Sequence, residues 1–136
     1  MSASLESLMP HRPPMRWIDA LTDCTETTAL ATVHFSADHF AVYDGLVCET
    51  ALVECVAQTV AAALGHRAHA RGDSGQSNHG VLAAVTGFQI QARPPCDKTI
   101  EIEVRELKRF GPMLLVAGTV SCEGQVIATG ELSLYA

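Results

Sequence analysis

Glu54 and Gln58 interrupt the apolar run from Cys48 to His66, CETALVECVAQTVAAALGH, and they stand four residues apart. In a helix that spacing stacks them on one face. A carboxyl group in so apolar a setting is costly unless it is protonated or hydrogen-bonded, so its presence asks for a use. Burial favours the neutral form of such a group, which makes Glu54 the expected proton donor. Gln58, one turn on, can orient that carboxyl or bond a loop carbonyl. A donor needs an acceptor, and a neutral imidazole accepts a proton at a pH near 7. His39, in the segment that leads into the run, and His34, at the end of the preceding strand, are the candidates for it.

The other reactive side chains make weaker cases. His11 lies in a proline-bearing segment and is expected to order a turn there. His66, His69 and His79 fall in or beside a polar, glycine-bearing stretch that cannot fix ligand geometry, so no metal site is expected. The cysteines (Cys24, Cys48, Cys55, Cys96 and Cys122) are odd in number and contain no C-x-x-C pair, so reduced, structural thiols are expected. Cys48 as a nucleophile lacks a base partner.

The elements that must position these groups can be read in order. Ser4 to Met9 suits one helical turn, and Pro10, Pro13 and Pro14 then forbid regular structure. Met15 to Leu21 and Thr27 to Phe35 read as a first pair of strands joined by a turn at Asp23 to Glu26. Ser36 to Gly45 reads as a loop that delivers the chain to a long helix, apolar almost all round and therefore buried, ending at Gly65 or soon after. Arg67 to Gly80 is polar and aperiodic. Val81 to Ala92, Thr99 to Phe110, Met113 to Cys122 and Gln125 to Tyr135 read as four strands, with turns at Gly111-Pro112 and Glu123-Gly124. Two strands, one buried helix and four more strands require an α+β arrangement, a helix against an antiparallel sheet; a sheet long and curved enough to wrap the helix is the hotdog architecture.

The totals narrow the partners. At 136 residues the chain is expected to form one domain, residues 1–136. A formal net charge of -6 speaks against a nucleic-acid surface. No apolar run free of polar groups has the length of a membrane span, and the first residues lack the pattern of a signal peptide, so a cytoplasmic protein is expected.

Several motifs together resemble the hotdog-fold 3-hydroxyacyl-(acyl carrier protein) dehydratases. Leu8-Met9-Pro10-His11-Arg12-Pro13-Pro14-Met15, leading into Trp17-Ile18-Asp19, is similar to that family's opening L-P-H-R-x-P segment and following V-D. Leu52 to Gln58 resembles its E-x-x-A-Q helix. Arg93-Pro94-Pro95 with Asp97, then Glu101 to Val104 and Leu107-Lys108-Arg109, is similar to its R-x-P-x-x-P-G-D, strand and L-K-R pattern. The chain departs from the family at its G-H-F-P-G loop, where Asp38-His39-Phe40-Ala41-Val42 stands, and at the Pro-Gly of the helix start, where Cys48-Glu49 stands. These departures resemble more closely a divergent dehydratase-like branch, some of it from aryl-polyene pathways.

The resemblance implies dehydration of a 3-hydroxyacyl thioester to the 2-enoyl thioester, in fatty-acid or polyene-type synthesis, with the substrate on the phosphopantetheine of an acyl carrier protein and no further cofactor. His39 and Glu54 become the catalytic pair, with Gln58 beside them. Backbone amides at the helix start, Cys48, Glu49 and Thr50, would hold the thioester oxygen as charge develops. Glu49 is then expected to face solvent, because an inward carboxylate would repel that oxygen. Arg93, Lys98, Arg105, Lys108 and Arg109 form the basic concentration that can meet an acidic carrier protein. In the family the His and the acid come from different subunits, which implies a homodimer, a higher assembly or a heteromer with a related hotdog chain. A thioesterase and a non-catalytic acyl-binding subunit are the competing readings.

Overall fold

The structure, a computed structural model, describes residues 4–72 and 81–135. A short helix α1 (Leu5–Leu8) precedes strands β1 (Ile18–Cys24) and β2 (Thr28–Val33). Two-residue strands β3 (Val42–Tyr43) and β4 (Leu46–Val47) lead into the long helix α2 (Glu49–Ala70), and β5 (Val81–Ile90), β6 (Ile100–Phe110), β7 (Met113–Cys122) and β8 (Gln125–Tyr135) follow. The long strands form one antiparallel sheet in the order β1-β2-β6-β7-β8-β5. This is the hotdog fold expected from the sequence.

Patterning explains the layers. On β6 the side chains of Ile100, Ile102 and Val104 are buried and those between them are exposed, and β7 alternates in the same way through Leu114, Val116, Val120 and Cys122. That period of two turns one face of the sheet toward α2. The helix itself is buried on most of its circumference, from Ala51 and Leu52 through Cys55, Val56, Val60 and Ala62. Close approach of helix and sheet depends on Gly118, where a Cβ would come within 2.6 Å of Val56 Cγ1.

Two expectations need correction. The helix does not stop near Gly65 but runs to Ala70, which carries His66, Arg67 and His69 on helix rather than loop. Gly65 serves packing instead of termination: a Cβ there would run into the backbone carbonyl of Leu8, so the glycine lets α1 lie against α2. The real stop follows Arg71, where Gly72 takes φ +83°, a conformation that glycine accepts without strain. The segment before the helix is likewise not all loop, since Asp44 (φ 54°) and Gly45 (φ 76°) turn the β3–β4 hairpin. His79, weighed as a solvated residue, lies outside the described residues.

The two edges of the sheet differ. Beside β1 lies the α1 segment, with Ser4, Leu5 and Leu8 sharing a cavity of about 460 Å³ with Asp19 to Thr22. β5 is the other edge; its residues 82–87 are exposed, bare among the described residues, and no residue of that strand is of a charged type.

Candidate active site

Gln58 is the hub of the site. Its side chain is fully buried, and both ends of the amide are engaged. Oε1 accepts the backbone N–H of Trp17 at 2.8 Å and of Ile18 at 3.3 Å. Nε2 donates to the carbonyl of Met15 at 2.8 Å and to Glu54 Oε2 at 3.0 Å. A buried amide costs nothing when each of its groups finds a partner. One side chain thus ties the chain entering β1 to the middle of α2 and fixes the carboxyl of Glu54 one turn away.

Glu54 is only partly buried, with 37% of its side chain exposed. The enclosed, apolar setting expected for it is therefore not what surrounds it. Its Oε2 faces Gln58 and also His11, whose Nε2 lies 3.4 Å away, while Oε1 meets no donor among the described residues. The expectation that His11 orders a turn needs correction: its backbone precedes the turn that Arg12 closes with Met15 and Arg16, and its ring reaches the Glu54 carboxyl. Arg12 holds that turn in place through the carbonyls of Glu6, Met9 and His11. Nothing in local spacing points to His11, because the contact arises only when the N-terminal segment folds over α2.

His39 lies on a tight turn. Its N–H donates to Ser36 O and its carbonyl accepts from Val42 N–H, both at 3.0 Å. The imidazole stacks on Phe40 at 4.7 Å and meets the edges of Phe35 at 4.8 Å and Trp17 at 5.7 Å. Its Nδ1 accepts the backbone N–H of Ala41 at 2.9 Å. Neighbouring Asp38 turns to Ser36, whose hydroxyl donates to it at 2.7 Å and, as the largest cause, holds its carboxyl below the ordinary range. Trp17 links the two halves of the site, since its amide binds Gln58 while its ring packs on His39. His39 and Glu54 of one chain share no hydrogen bond or ion pair. His34, the alternative base, points to Asp97, with Nε2 3.5 Å from Oδ1.

At the start of α2 the amide of Cys48 is already engaged with the carbonyl of Ala41 at 2.8 Å. Of the expected amide donors, Glu49 and Thr50 remain. Cys48 Sγ lies 3.6 Å from the Thr50 hydroxyl. Glu49 is exposed, and its Oε1 lies 3.7 Å from Arg93 Nε. Arg93 itself donates to the carbonyls of Val47, Tyr43 and Leu46, clamping the β3–β4 hairpin.

The expected basic concentration is divided in the same manner. Lys98 lies 3.9 Å from Glu123, Arg109 donates to Glu106 at 3.1 Å, and Lys108 sits over the Phe110 ring at 4.7 Å. Burial, the largest cause in each case, pushes up the thiols of Cys24, Cys55 and Cys122, which keeps them poor nucleophiles. A groove of about 930 Å³ lies at the far end of α2, between Cys24–Thr27, Leu64, Arg67, Glu106 and Arg109, and its lining includes none of His11, His39, Glu54 and Gln58. Among the described residues, no helix is long and apolar enough to cross a membrane.

Comparison with solved structures places the chain among hotdog proteins. The dehydratase heterocomplex ApeI:P from Xenorhabdus doucetiae aligns with a TM-score of 0.89 at 21% identity, covering 99% of this chain and 91% of that one. An HP0420 homologue from Helicobacter felis aligns at 0.73 with 12% identity, covering 100% and 92%. A hypothetical thioesterase with coenzyme A from Streptococcus pneumoniae TIGR4 aligns at 0.67 with 9% identity, covering 85% and 83%. At these identities the likeness shows the fold alone. Comparison with curated protein sequences returned no match. The family model for ApeP-like proteins, described as ApeP dehydratase, matches residues 3–136. The chain belongs to the ApeP-like dehydratase family.

Proposed function

We propose that this chain dehydrates a 3-hydroxyacyl thioester, carried on the phosphopantetheine of an acyl carrier protein, to the 2-enoyl thioester. The reaction takes a proton from the α carbon, expels the β hydroxyl as water and passes through a charged thioester oxygen. It calls for a proton carrier and for donors to that oxygen. Glu54 and His39 are the two side chains assigned to substrate, with the Glu49 and Thr50 amides at the helix start as further donors.

The observation that carries this reading is the Trp17–Gln58 linkage. It holds Glu54 by a buried amide and packs His39 by an indole ring, so both groups are set by one rigid unit. Since His39 and Glu54 of one chain do not meet, a complete site is proposed to form between two chains. A related hotdog chain is the favoured partner, supported by the heterocomplex named for the Xenorhabdus structure. The cytoplasm, where acyl carrier proteins work, is the proposed location.

Incubating the purified protein with a 3-hydroxyacyl carrier protein and following its mass tests the reading. Loss of water is expected; release of free thiol instead would make it a thioesterase. Unchanged turnover in both Glu54→Gln and His39→Ala would sink the assignment of the pair.

A further inference from the structure

The segment that carries His11 is fastened to α2 at both of its ends. Where it enters β1, Gln58 accepts the amides of Trp17 and Ile18 and donates to the carbonyl of Met15. At its other end α1 lies so close to α2 that a Cβ on Gly65 would run into the Leu8 carbonyl. One turn further along α2, His69 Nε2 lies 3.1 Å from the Ser7 carbonyl oxygen. A carbonyl only accepts, so Nε2 carries the proton there and donates it. Between these ties Leu8 and Met9 are buried, and the His11 ring reaches Glu54 Oε2 at 3.4 Å.

Little slack lies between the ties. Pro10, Pro13 and Pro14 fix φ along the segment. Arg12 donates to the carbonyl of Glu6, in α1, and to those of Met9 and His11, so the short helix and the residues after it move as one piece. A displacement of Leu8 off Gly65 is therefore passed to His11, three residues on. Gly65 and His69 stand eleven and fifteen residues beyond Glu54 on α2, about 16 and 22 Å at a helical rise of about 1.5 Å per residue. Neither can touch the carboxyl, so an influence on it must travel through the segment.

We propose that Gly65 and His69 are positioning residues of the site: by seating α1 on the far half of α2 they set His11 against Glu54. This rests on the dehydratase reading. It gives a use to two residues whose types suggest a helix stop and a solvated imidazole. With Oε2 held from two sides, by Gln58 on its own helix and by His11 from the segment lying across it, the plane of the carboxyl is defined. With Gln58 alone it can swing about a single hydrogen bond, and a proton carrier that swings spends less time aligned with substrate.

NMR of histidine-labelled protein separates this role from plain stabilisation. The His11 ring signal, assigned from the His11→Ala variant, should move in Glu54→Gln, and should move also in Gly65→Ala and in His69→Ala. His69 is exposed, so His69→Ala carries the test alone if Gly65→Ala does not fold. His69→Gln keeps an N–H donor and should return the signal toward its wild-type position.

In turnover of a 3-hydroxyacyl carrier protein, Gly65→Ala and His69→Ala should each lower kcat by about threefold to tenfold at nearly constant KM. Adding either to His11→Ala should cost no more than about twofold further, because all three act through one contact. A His11 signal unmoved by His69→Ala, or losses in kcat that multiply with that of His11→Ala, overturns the positioning role and leaves the dehydratase reading in place. Absence of water loss from the wild-type protein would remove that reading and this role together, whatever the His11 signal does.

Discussion

His11 Nε2 lies 3.4 Å from Glu54 Oε2, joining the N-terminal turn to the middle of the long helix. Among the described residues, Nδ1 of His11 is buried without a hydrogen-bond partner, which leaves Nε2 as its polar contact. The imidazole is therefore expected to orient the carboxyl rather than to touch substrate. His11→Ala is expected to lower kcat by roughly threefold to tenfold, the worth of about one hydrogen bond, with KM nearly unchanged. Steady-state kinetics on a carrier-protein thioester would show it. A rise in KM at constant kcat would instead place His11 in substrate binding.

Gln58 should matter more to stability than any other polar residue of the site. Gln58→Ala leaves the amides of Trp17 and Ile18 and the carbonyl of Met15 without their buried partner. A loss of roughly 2–4 kcal/mol is expected from these orphaned groups. Urea denaturation should register it as a lower midpoint at unchanged slope.

Adding one methyl group at two glycines should have distinguishable effects. Gly118→Ala presses on the Val56 side chain, an overpacking that costs about 1–3 kcal/mol and lowers Tm throughout the domain. Gly65→Ala meets the Leu8 backbone and must push α1 away. Limited proteolysis of Gly65→Ala should cut first near residues 5–16, while Gly118→Ala should show no such preference.

The Ser36 hydroxyl should be visible in the titration of Asp38. A carboxyl held below its ordinary range contributes stability that is present above its unfolded pKa, 3.8, and is lost as pH falls through the lower folded value. Ser36→Ala removes the main cause, so Asp38 should titrate closer to 3.8. Carbon-13 NMR of the carboxyl reads this directly, and an unmoved titration would show that Ser36 is not responsible.

Much of this fold can be read in the chain because its signals are local. Gly111-Pro112 and Glu123-Gly124 mark the turns of the β6–β7–β8 meander, and both hairpins lie where those residues put them. The extent of α2 was less legible, because Gly65 reads as a stop signal when its neighbour is unknown and as a packing device once Leu8 is beside it. The site divides along the same line. Glu54 and Gln58 are evident as polar intrusions in an apolar helix. The His11 contact, the Arg93 clamp and the Ala41 bond to His39 depend on how separate segments meet, or on a ring orientation that spacing does not encode.

The bare edge of β5 bears on how the protein can be handled and made. Ten residues without a charge, with Leu82 at 41% and Val85 at 45% exposure, form an open row of backbone donors and acceptors lacking the lysines or prolines that usually deter stray pairing. The protein is then expected to pair along that edge. Its melting temperature should rise with protein concentration, and chain synthesised without a companion to cover that edge should be the fraction lost to aggregates.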